Sequence, residues 1–490
     1  MNRFAVLCVT TLICLSSAAQ TPAQHSTSPV SITVYDRTRL NVFQWFTATP
    51  DAATYAYLES LLRAGIAQKR KSYDWELELT QPSELFLPSD AVSPVAAQGQ
   101  LGLGGTYYAS NNNQTEAAAA GFKQGFIRFH GSTPDWALRV GRFEFFEGQE
   151  TTPKNPDLQF LQANRMAQRL VGNFGFSNAQ RSFDGVDGHY DGKTWNLTAM
   201  AARADQGVFN MNTNPELNVD MQYLAYSKYD FSNHFLWRVF AMGYHDGRTG
   251  LTKTDNRALA VRAADHKNIR LGSYGADFLT SIPAGAGKFD LLGWGVLQNG
   301  DWGLLNHRAG AIAVEGGYHA TQLRTAPWLQ AGFLRSTGDN NPTDNQHTTF
   351  FQVLPTPRIY ARFPFYNMMN SKDQFVQLMD MPTKHLALRS DMHFLQLTSN
   401  QDFWYQGGGA YDNKVFGFVG RPANLHASFS SVFDLSADYE VSKRISLTAY
   451  YAHAWGKSVI AAIYPVGRSS QYGYLEMTYK WGRPQRPMKE

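Results

Sequence analysis

Polar and apolar residues alternate one by one in stretch after stretch of this chain, and the connections between stretches are short and long in turn. The plainest stretch is 73–80. There Tyr73, Trp75, Leu77 and Leu79 fall on one parity and Asp74, Glu76, Glu78 and Thr80 on the other. Successive side chains of a strand point to opposite faces, so such a run makes one apolar and one polar face. A helix would scatter the same residues around its axis. The last run, 471–481, repeats the pattern with Gly473, Leu475, Met477, Tyr479 and Trp481 against Tyr472, Tyr474, Glu476, Thr478 and Lys480.

Read from end to end, the alternation predicts strands at 34–46, 58–69, 73–80, 123–129, 137–146, 181–190, 195–202, 220–229 and 234–244. It continues at 268–282, 287–297, 309–320, 326–334, 372–381, 385–397, 432–441, 446–455 and 471–481. Turn residues separate them, as at Asp191-Gly-Lys-Thr194 and Pro382-Thr-Lys384. Long segments follow at 81–121, from 147 to about 180, at 336–370 and at 401–430, the last containing Gly407-Gly-Gly409. Short turns alternating with long loops, over an even number of strands, are the asymmetry of a transmembrane barrel. The expected fold is therefore all-β: a transmembrane antiparallel barrel of about eighteen strands in a bacterial outer membrane, wide enough for an aqueous channel. A secreted sandwich or propeller fits less well. No fixed-period repeat is present, and charged residues are only 17% of the chain against about 25% in typical globular proteins.

Residues 1–19 read as a secretory signal peptide: Arg3, then an apolar run from Phe4 to Leu15, then the small residues Ser17, Ala18 and Ala19. Both cysteines, Cys8 and Cys14, fall within it, so no disulfide framework is expected in the mature chain. No second run reaches the 18 or so apolar residues of a membrane helix. The expected organisation is the leader 1–19, a barrel over 20–481 and a periplasmic tail over 482–490, with both termini on the periplasmic side.

Three stretches carry a family resemblance. Leu138-Arg-Val-Gly-Arg-Phe-Glu-Phe-Phe-Glu-Gly148 is similar to the Gly-Arg signature strand of the alginate-export family of outer-membrane barrels. Asn178-Ala-Gln-Arg-Ser-Phe-Asp-Gly-Val186 resembles that family's Arg-Ser-Phe-Asp-Gly motif. Ser336-Thr-Gly-Asp-Asn-Asn-Pro-Thr-Asp344, with Thr349-Phe350 and Leu354-Pro-Thr356, resembles its Gly-Asp-rich loop leading to a Pro-Thr element. The resemblance implies an 18-strand monomer, and it implies that Arg142, Arg181 and Asp184 are pore or structural residues. The chain departs from the family's exporter at the eighth periplasmic connection, which is long and helps occlude that pore; here Ser442-Lys-Arg444 is short.

Placing the apolar parity against lipid assigns the inner wall. Arg39, Arg63, Arg128, Arg139, Arg238 and Arg389 then point into the lumen, together with Asp74, Glu76, Glu78, Asp391, His393 and Asp434. Arg142 shares parity with Leu138 and Val140, so either a bulge at Gly141 turns it inward or it lies at the membrane interface. A planar guanidinium grips a carboxylate with two hydrogen bonds, which suits carboxylate sugars; arginines paired with wall carboxylates would instead stiffen the barrel. The segment 81–121 is a candidate for folding into the lumen.

Catalytic and metal motifs are missing. The 13 histidines form no His-Glu-x-x-His pattern, and there is no Gly-x-Ser-x-Gly elbow or phosphate loop. No cofactor, metal, catalytic residue or nucleic-acid patch is expected. The function expected is a passive outer-membrane channel for an anionic or polar saccharide such as a uronate polymer or oligomer. The alternative is a structural or adhesive surface barrel whose lumen is plugged and whose long loops bind a partner. Expected partners are the outer-membrane lipid, the solute and the barrel-assembly machinery.

Overall fold

The computed structural model describes residues 29–48, 54–131, 133, 135–230, 232–356 and 363–482; residues 1–19, expected as a signal peptide, and the expected tail beyond Gly482 lie outside the described residues. Eighteen strands build the wall. They are β1 (Ser31–Gln44), β2 (Thr54–Lys69), β3 (Tyr73–Leu85), β4 (Gly121–His130), β5 (Trp136–Phe143) and β6 (Phe183–Asp191). β7 (Trp195–Asp205), β8 (Glu216–Tyr229), β9 (Phe235–Asp246), β10 (Ile269–Ala284), β11 (Gly287–Trp302) and β12 (Leu305–His319) follow. β13 (Trp328–Ser336), β14 (Ser371–Thr383), β15 (Leu386–Leu397), β16 (Ser428–Ser442), β17 (Ile445–Gly456) and β18 (Ser469–Gly482) complete it. Each strand pairs antiparallel with its neighbours in sequence, and β18 returns to β1 with Leu475 opposite Leu40 and Glu476 opposite Arg39. The barrel is closed, so no edge is left to aggregate.

All eighteen expected strands are present. Their outward parity carries the exposed apolar side chains: Leu77 and Leu79 on β3, Val140 on β5, Ile312 and Val314 on β12, Leu475 and Met477 on β18. At one end the connections are short, as at 70–72, 192–194, 285–286 and 443–444. At the other they are long, running over 86–120, 144–182, 247–268, 337–370 and 398–427; the two-residue turn 303–304 is the exception. No helix among the described residues is long and apolar enough to cross a membrane.

Strand ends differ from expectation where loops turn inward. The fifth strand stops at Phe143 rather than 146, because Phe143 and Phe145 enter the apolar cluster inside the barrel. The loop expected over 401–430 contains a small hairpin, Phe403–Gly407 with Phe418–Pro422, and the wall resumes at Ser428. That hairpin explains the glycine triplet. Gly407 and Gly409 have φ of 121° and 83°, and a Cβ at Gly409 would sit 2.2 Å from the Val353 carbonyl oxygen. The segment 81–121 does fold inward: its helix Gly102–Ser110 places Tyr107 against Tyr57 of β2 and Phe209.

Candidate functional site

The site is the lumen and the loops that fill it. The segment 144–182 leaves the long-loop end of β5 and crosses the whole barrel. Glu147 and Glu150 meet Arg238 on the inner face of β9 at 2.6 and 3.2 Å. Its chain then reaches the short-turn end. There Asp157 binds Lys288 at 2.9 Å, His319 at 3.2 Å and the Ser281 hydroxyl at 3.1 Å, and Phe160 packs on Trp328. The helix Pro156–Leu161 at this end is capped by Asn155, whose side chain accepts from the Asp157 amide, with Pro156 at its first turn. The return path is held by Glu315 on β12, which takes Arg165 at 2.8 Å and Arg169 at 2.7 Å. The segment is a plug threaded through the lumen, and its anchors are buried ion pairs.

Three loops meet at Arg181. Its guanidinium is fully buried and donates to the carbonyls of Gly172 (3.0 Å), Leu354 (3.0 Å), Gly408 (2.7 Å) and Ala410 (3.3 Å). These belong to the segments 144–182, 337–370 and 398–427. Burial, opposed in part by Asp205, pushes its pKa down to about 10, so it stays charged at neutral pH. Arg37 ties the same plug to β1 through the carbonyls of Gly175, Phe176 and Ser177. Arg421 ties the hairpin to the segment 86–120 through Ala97, Gln98 and Gln100.

Asp402 joins two of these loops. Its carboxylate accepts from Thr349 (2.6 Å), the Asp339 amide (2.9 Å) and Tyr405 (2.7 Å). Burial outweighs these donors and raises its pKa from 3.8 to about 6. A raised carboxyl binds its proton more tightly in the docked state. Its stabilising contribution is therefore full below about pH 4 and is lost as pH rises through about 6. At roughly 1.4 kcal/mol per unit, ionisation weakens loop docking by about 3 kcal/mol. Loop opening, read as current noise in bilayers, is expected to increase between pH 4 and pH 7, and Asp402→Asn is expected to flatten that dependence.

Arg39, Arg63, Arg128, Arg139, Arg238 and Arg389 stand on the parity opposite the exposed apolar side chains, and each guanidinium is paired. Register does the pairing. Arg39 lies opposite both Glu59 and Glu476, Arg139 opposite Asp187, Arg128 opposite Asp74 and Arg238 opposite Asp277; opposite charges on directly facing positions attract. Arg39 binds Glu59 at 2.9 Å and Glu476 at 2.6 Å, and Arg139 binds Asp187 at 2.6 Å. Arg63 pairs with Glu78 and, at 3.0 Å, with Glu144 of the plug. Although burial alone would raise it, the Arg63 and Lys123 charges hold the Glu144 carboxyl at about 2. Arg389 pairs with Asp391 at 2.5 Å. Exposure separates two groups: Arg63, Arg128, Arg139 and Arg389 keep 11–19% of their side-chain surface, while Arg39 and Arg238 keep 1–2%.

Arg142, Asp184 and Arg181 stand elsewhere. Gly141 has a φ of 130°, but the register runs through it without a shift. Arg142 thus stays on the outward parity of Leu138 and Val140 and grips Asp184 at 2.5 and 2.7 Å across the strand pair. It also donates to the carbonyls of Thr213 and Asn214 at the long-loop rim. This pair belongs to the outer rim of the wall, not to the lumen, and Arg181 is the loop clasp. Glu144, Glu147, Arg165 and Arg169, which hold the plug, and Arg421, which ties the hairpin to segment 86–120, were not foreseen. They lie in or beside irregular segments, where no parity says which way a side chain points.

Above the plug, at the long-loop end, opens a cavity of about 790 Å³. Its lining includes six amides (Gln100, Asn112, Gln206, Asn210, Asn212 and Gln406), the rings of Phe209, Tyr411, Phe416 and Phe418, the cations Arg262 and Lys414, and the carboxylate of Asp412.

The comparisons with known proteins point one way. A family model described as "Alginate export" matches residues 93–461. Among solved structures, the outer-membrane protein opdK of Pseudomonas aeruginosa superposes with a TM-score of 0.56 at 8% identity, over 92% of this chain and 99% of that one. OccK8 (OprE) of the same organism gives 0.53 at 9%, over 93% and 98%. OccAB2 of Acinetobacter baumannii gives 0.57 at 10%, over 93% and 98%. No curated protein sequence matches the chain.

Proposed function

The chain belongs to the alginate-export family of outer-membrane channels, and on that premise we propose that it passes an anionic or polar saccharide, such as a uronate oligomer, by passive diffusion. In this reading it acts as a channel, as its family does, and not as an enzyme. In this reading the short-turn end and both termini face the periplasm, after export through the leader 1–19, and the long loops face outward.

The observation that carries the solute class is the mouth cavity. Amides and hydroxyls hydrogen-bond sugar hydroxyls in either direction, and aromatic faces pack on sugar rings. Arg262 and Lys414 supply the attraction for carboxylate. Arg262 is held by the backbone oxygens of Arg257 and Lys253 and has no carboxylate partner among the described residues. Below the mouth, Arg63, Arg128, Arg139 and Arg389 offer partly exposed guanidiniums beside carboxylates. Such mixed steps bind a uronate weakly and repeatedly, as conduction requires. The related barrel fold of OpdK has been crystallised with vanillate; that carboxylate-bearing ligand is consistent with an anionic solute here.

Conductance in planar bilayers tests the reading. Uronate oligomers are expected to block the current at lower concentration than neutral oligosaccharides of the same length, and Arg262→Glu with Lys414→Glu is expected to abolish the difference. Equal block by both sugars would sink the solute assignment. A second reading rests on the plug itself. Buried ion pairs thread it through the lumen, so a barrel that stays shut and binds a partner through its loops predicts no conductance at any voltage.

A further inference from the structure

Between β14, β15 and β16 the inner wall holds charges that the plug and its clasps do not use. Asp391 on β15 faces Asp434 on β16 directly across the ladder, and His393 lies two residues further along the same inner face. All three are 1% exposed. One ligand atom from each lies within 4.8 Å of the other two. The Nε2 atom of His393 and the Oδ2 atom of Asp434 have no hydrogen-bond partner among the described residues.

Two features aim these atoms inward. The His393 Nδ1 is 2.8 Å from Oδ2 of Asp373 on β14, a bond that fixes the ring and leaves Nε2 as the nitrogen with no hydrogen-bond partner among the described residues. Gln377 Nε2 donates to Asp391 Oδ1 at 2.5 Å, which orients that carboxylate. A carboxylate behind the imidazole is the usual support of a metal-binding histidine.

The charge balance points the same way. Asp373, Asp391 and Asp434 bring three carboxylates into one buried patch. The guanidinium on the wall beside them is Arg389, 2.5 Å from Asp391. From the plug, Arg165 stacks over the Phe375 ring, binds Glu315 and also acts on Asp391, and the His393 imidazole pairs with Asp373. The phenol of Tyr366, 3.5 Å from Asp373, also faces the patch, and the Tyr450 side chain stands on the neighbouring strand β17 beside Ser436. Like charges directly opposite each other on a ladder repel, and buried carboxylates call for a cation or a proton.

The geometry points to a divalent-cation site formed by His393 Nε2, Asp391 and Asp434. One imidazole nitrogen with two carboxylate oxygens suits Zn(II) or Mn(II), whereas Mg(II) and Ca(II) take all-oxygen cages. Around an ion with bonds near 2.1 Å, tetrahedral ligands stand about 3.4 Å apart. The present spacing therefore closes by small side-chain rotations on fixed strands. A bound ion staples β15 to β16.

The test uses the full-length protein folded in detergent, stripped with chelator and dialysed against Zn(II), Mn(II), Co(II) or Mg(II). One equivalent of Zn(II) by elemental analysis is expected, with a higher melting temperature and, for Co(II), a visible ligand-field spectrum. Mg(II) is expected to give neither. His393→Gln and the isosteric Asp434→Asn should each lower Zn(II) affinity at least tenfold, and Asp373→Asn should lower it 10- to 100-fold. Heat-modifiable migration in gels verifies that each variant is folded. Wild-type protein that retains less than a tenth of an equivalent overturns the site. So does Zn(II) binding that His393→Gln and Asp434→Asn leave unchanged. If Asp434→Asn raises the melting temperature while no metal binds the wild type, a proton shared by the two aspartates is the occupant instead.

Discussion

Replacing Glu315 by alanine is expected to open the channel. The side chain is buried on β12 and neutralises two guanidiniums at once, Arg165 at 2.8 Å and Arg169 at 2.7 Å, which are themselves 2% and 0% exposed. Removing one member of a buried ion pair strands its partner and costs about 3–5 kcal/mol; here two partners lose the same counter-charge. Water can reach both only if the return arm of the plug leaves the wall. Single-channel conductance should rise severalfold and become noisy, while the barrel keeps its heat-modifiable migration, because the change removes a side chain and leaves the backbone pairing of Glu315 with Leu292 and Gly332 in place. Glu315→Gln should give an intermediate result, since the amide still accepts from one arginine. Converting Glu315, Arg165 and Arg169 together to methionine should close the pore again, because removing a whole buried triad is far cheaper than breaking it. An unchanged conductance in Glu315→Ala would show that the plug is held by its apolar contacts alone.

The wall was readable residue by residue because a strand has only two faces. Once Tyr73, Leu77 and Leu79 are set against lipid, Asp74 must point inward, and the same reasoning placed Arg39, Arg63, Arg139 and Arg238. Alternation gave Arg142 the parity of Leu138 and Val140 but left open a bulge at Gly141 that would turn it inward; the register runs on without a shift, and Arg142 pairs with Asp184. Partners were harder. Arg139 meets Asp187 and Asp391 meets Asp434 only because of register, and register depends on where each turn begins. The plug was not readable at all. Arg165, Arg169 and Arg181 lie in irregular backbone, and their partners are carbonyls and carboxylates up to 229 residues away in sequence.

That difference explains how a short eighth connection, 443–444, is compatible with a lower end narrowed by the plug. A barrel can be narrowed from below by a long turn, or from above by a loop that reaches down. Here Asp157 carries the loop 144–182 to the short-turn end and fixes it to Lys288 and His319. Occlusion is thus a property of the fifth-to-sixth strand connection, the one whose two ends bear the stretches 138–148 and 178–186. The matched signature residues border the plug more than they line the pore.

Arg181 is the sharper case of that division. Its four acceptors are carbonyls drawn from three loops. A carboxylate partner could be replaced by another charge; a set of carbonyls can be satisfied only by a planar group with several donors in fixed directions. Arg181→Met fills much of the volume but leaves the oxygens of Gly172, Leu354, Gly408 and Ala410 without this donor in a dry interior. Each orphaned polar group costs about 1–3 kcal/mol, and the loops relieve part of that by separating, so about 3–5 kcal/mol of docking is expected to be lost. Arg181→Lys should recover little, because one ammonium cannot reach acceptors on both sides. Hydrogen exchange should therefore speed up in all three segments, 144–182, 337–370 and 398–427, in both variants, with the β1–β18 ladder still protected. Exchange faster in only the segment that carries Arg181 would mean that the other two loops hold each other. In that case Asp402, which binds Thr349 and the Asp339 amide across them, would be the true centre of the gate.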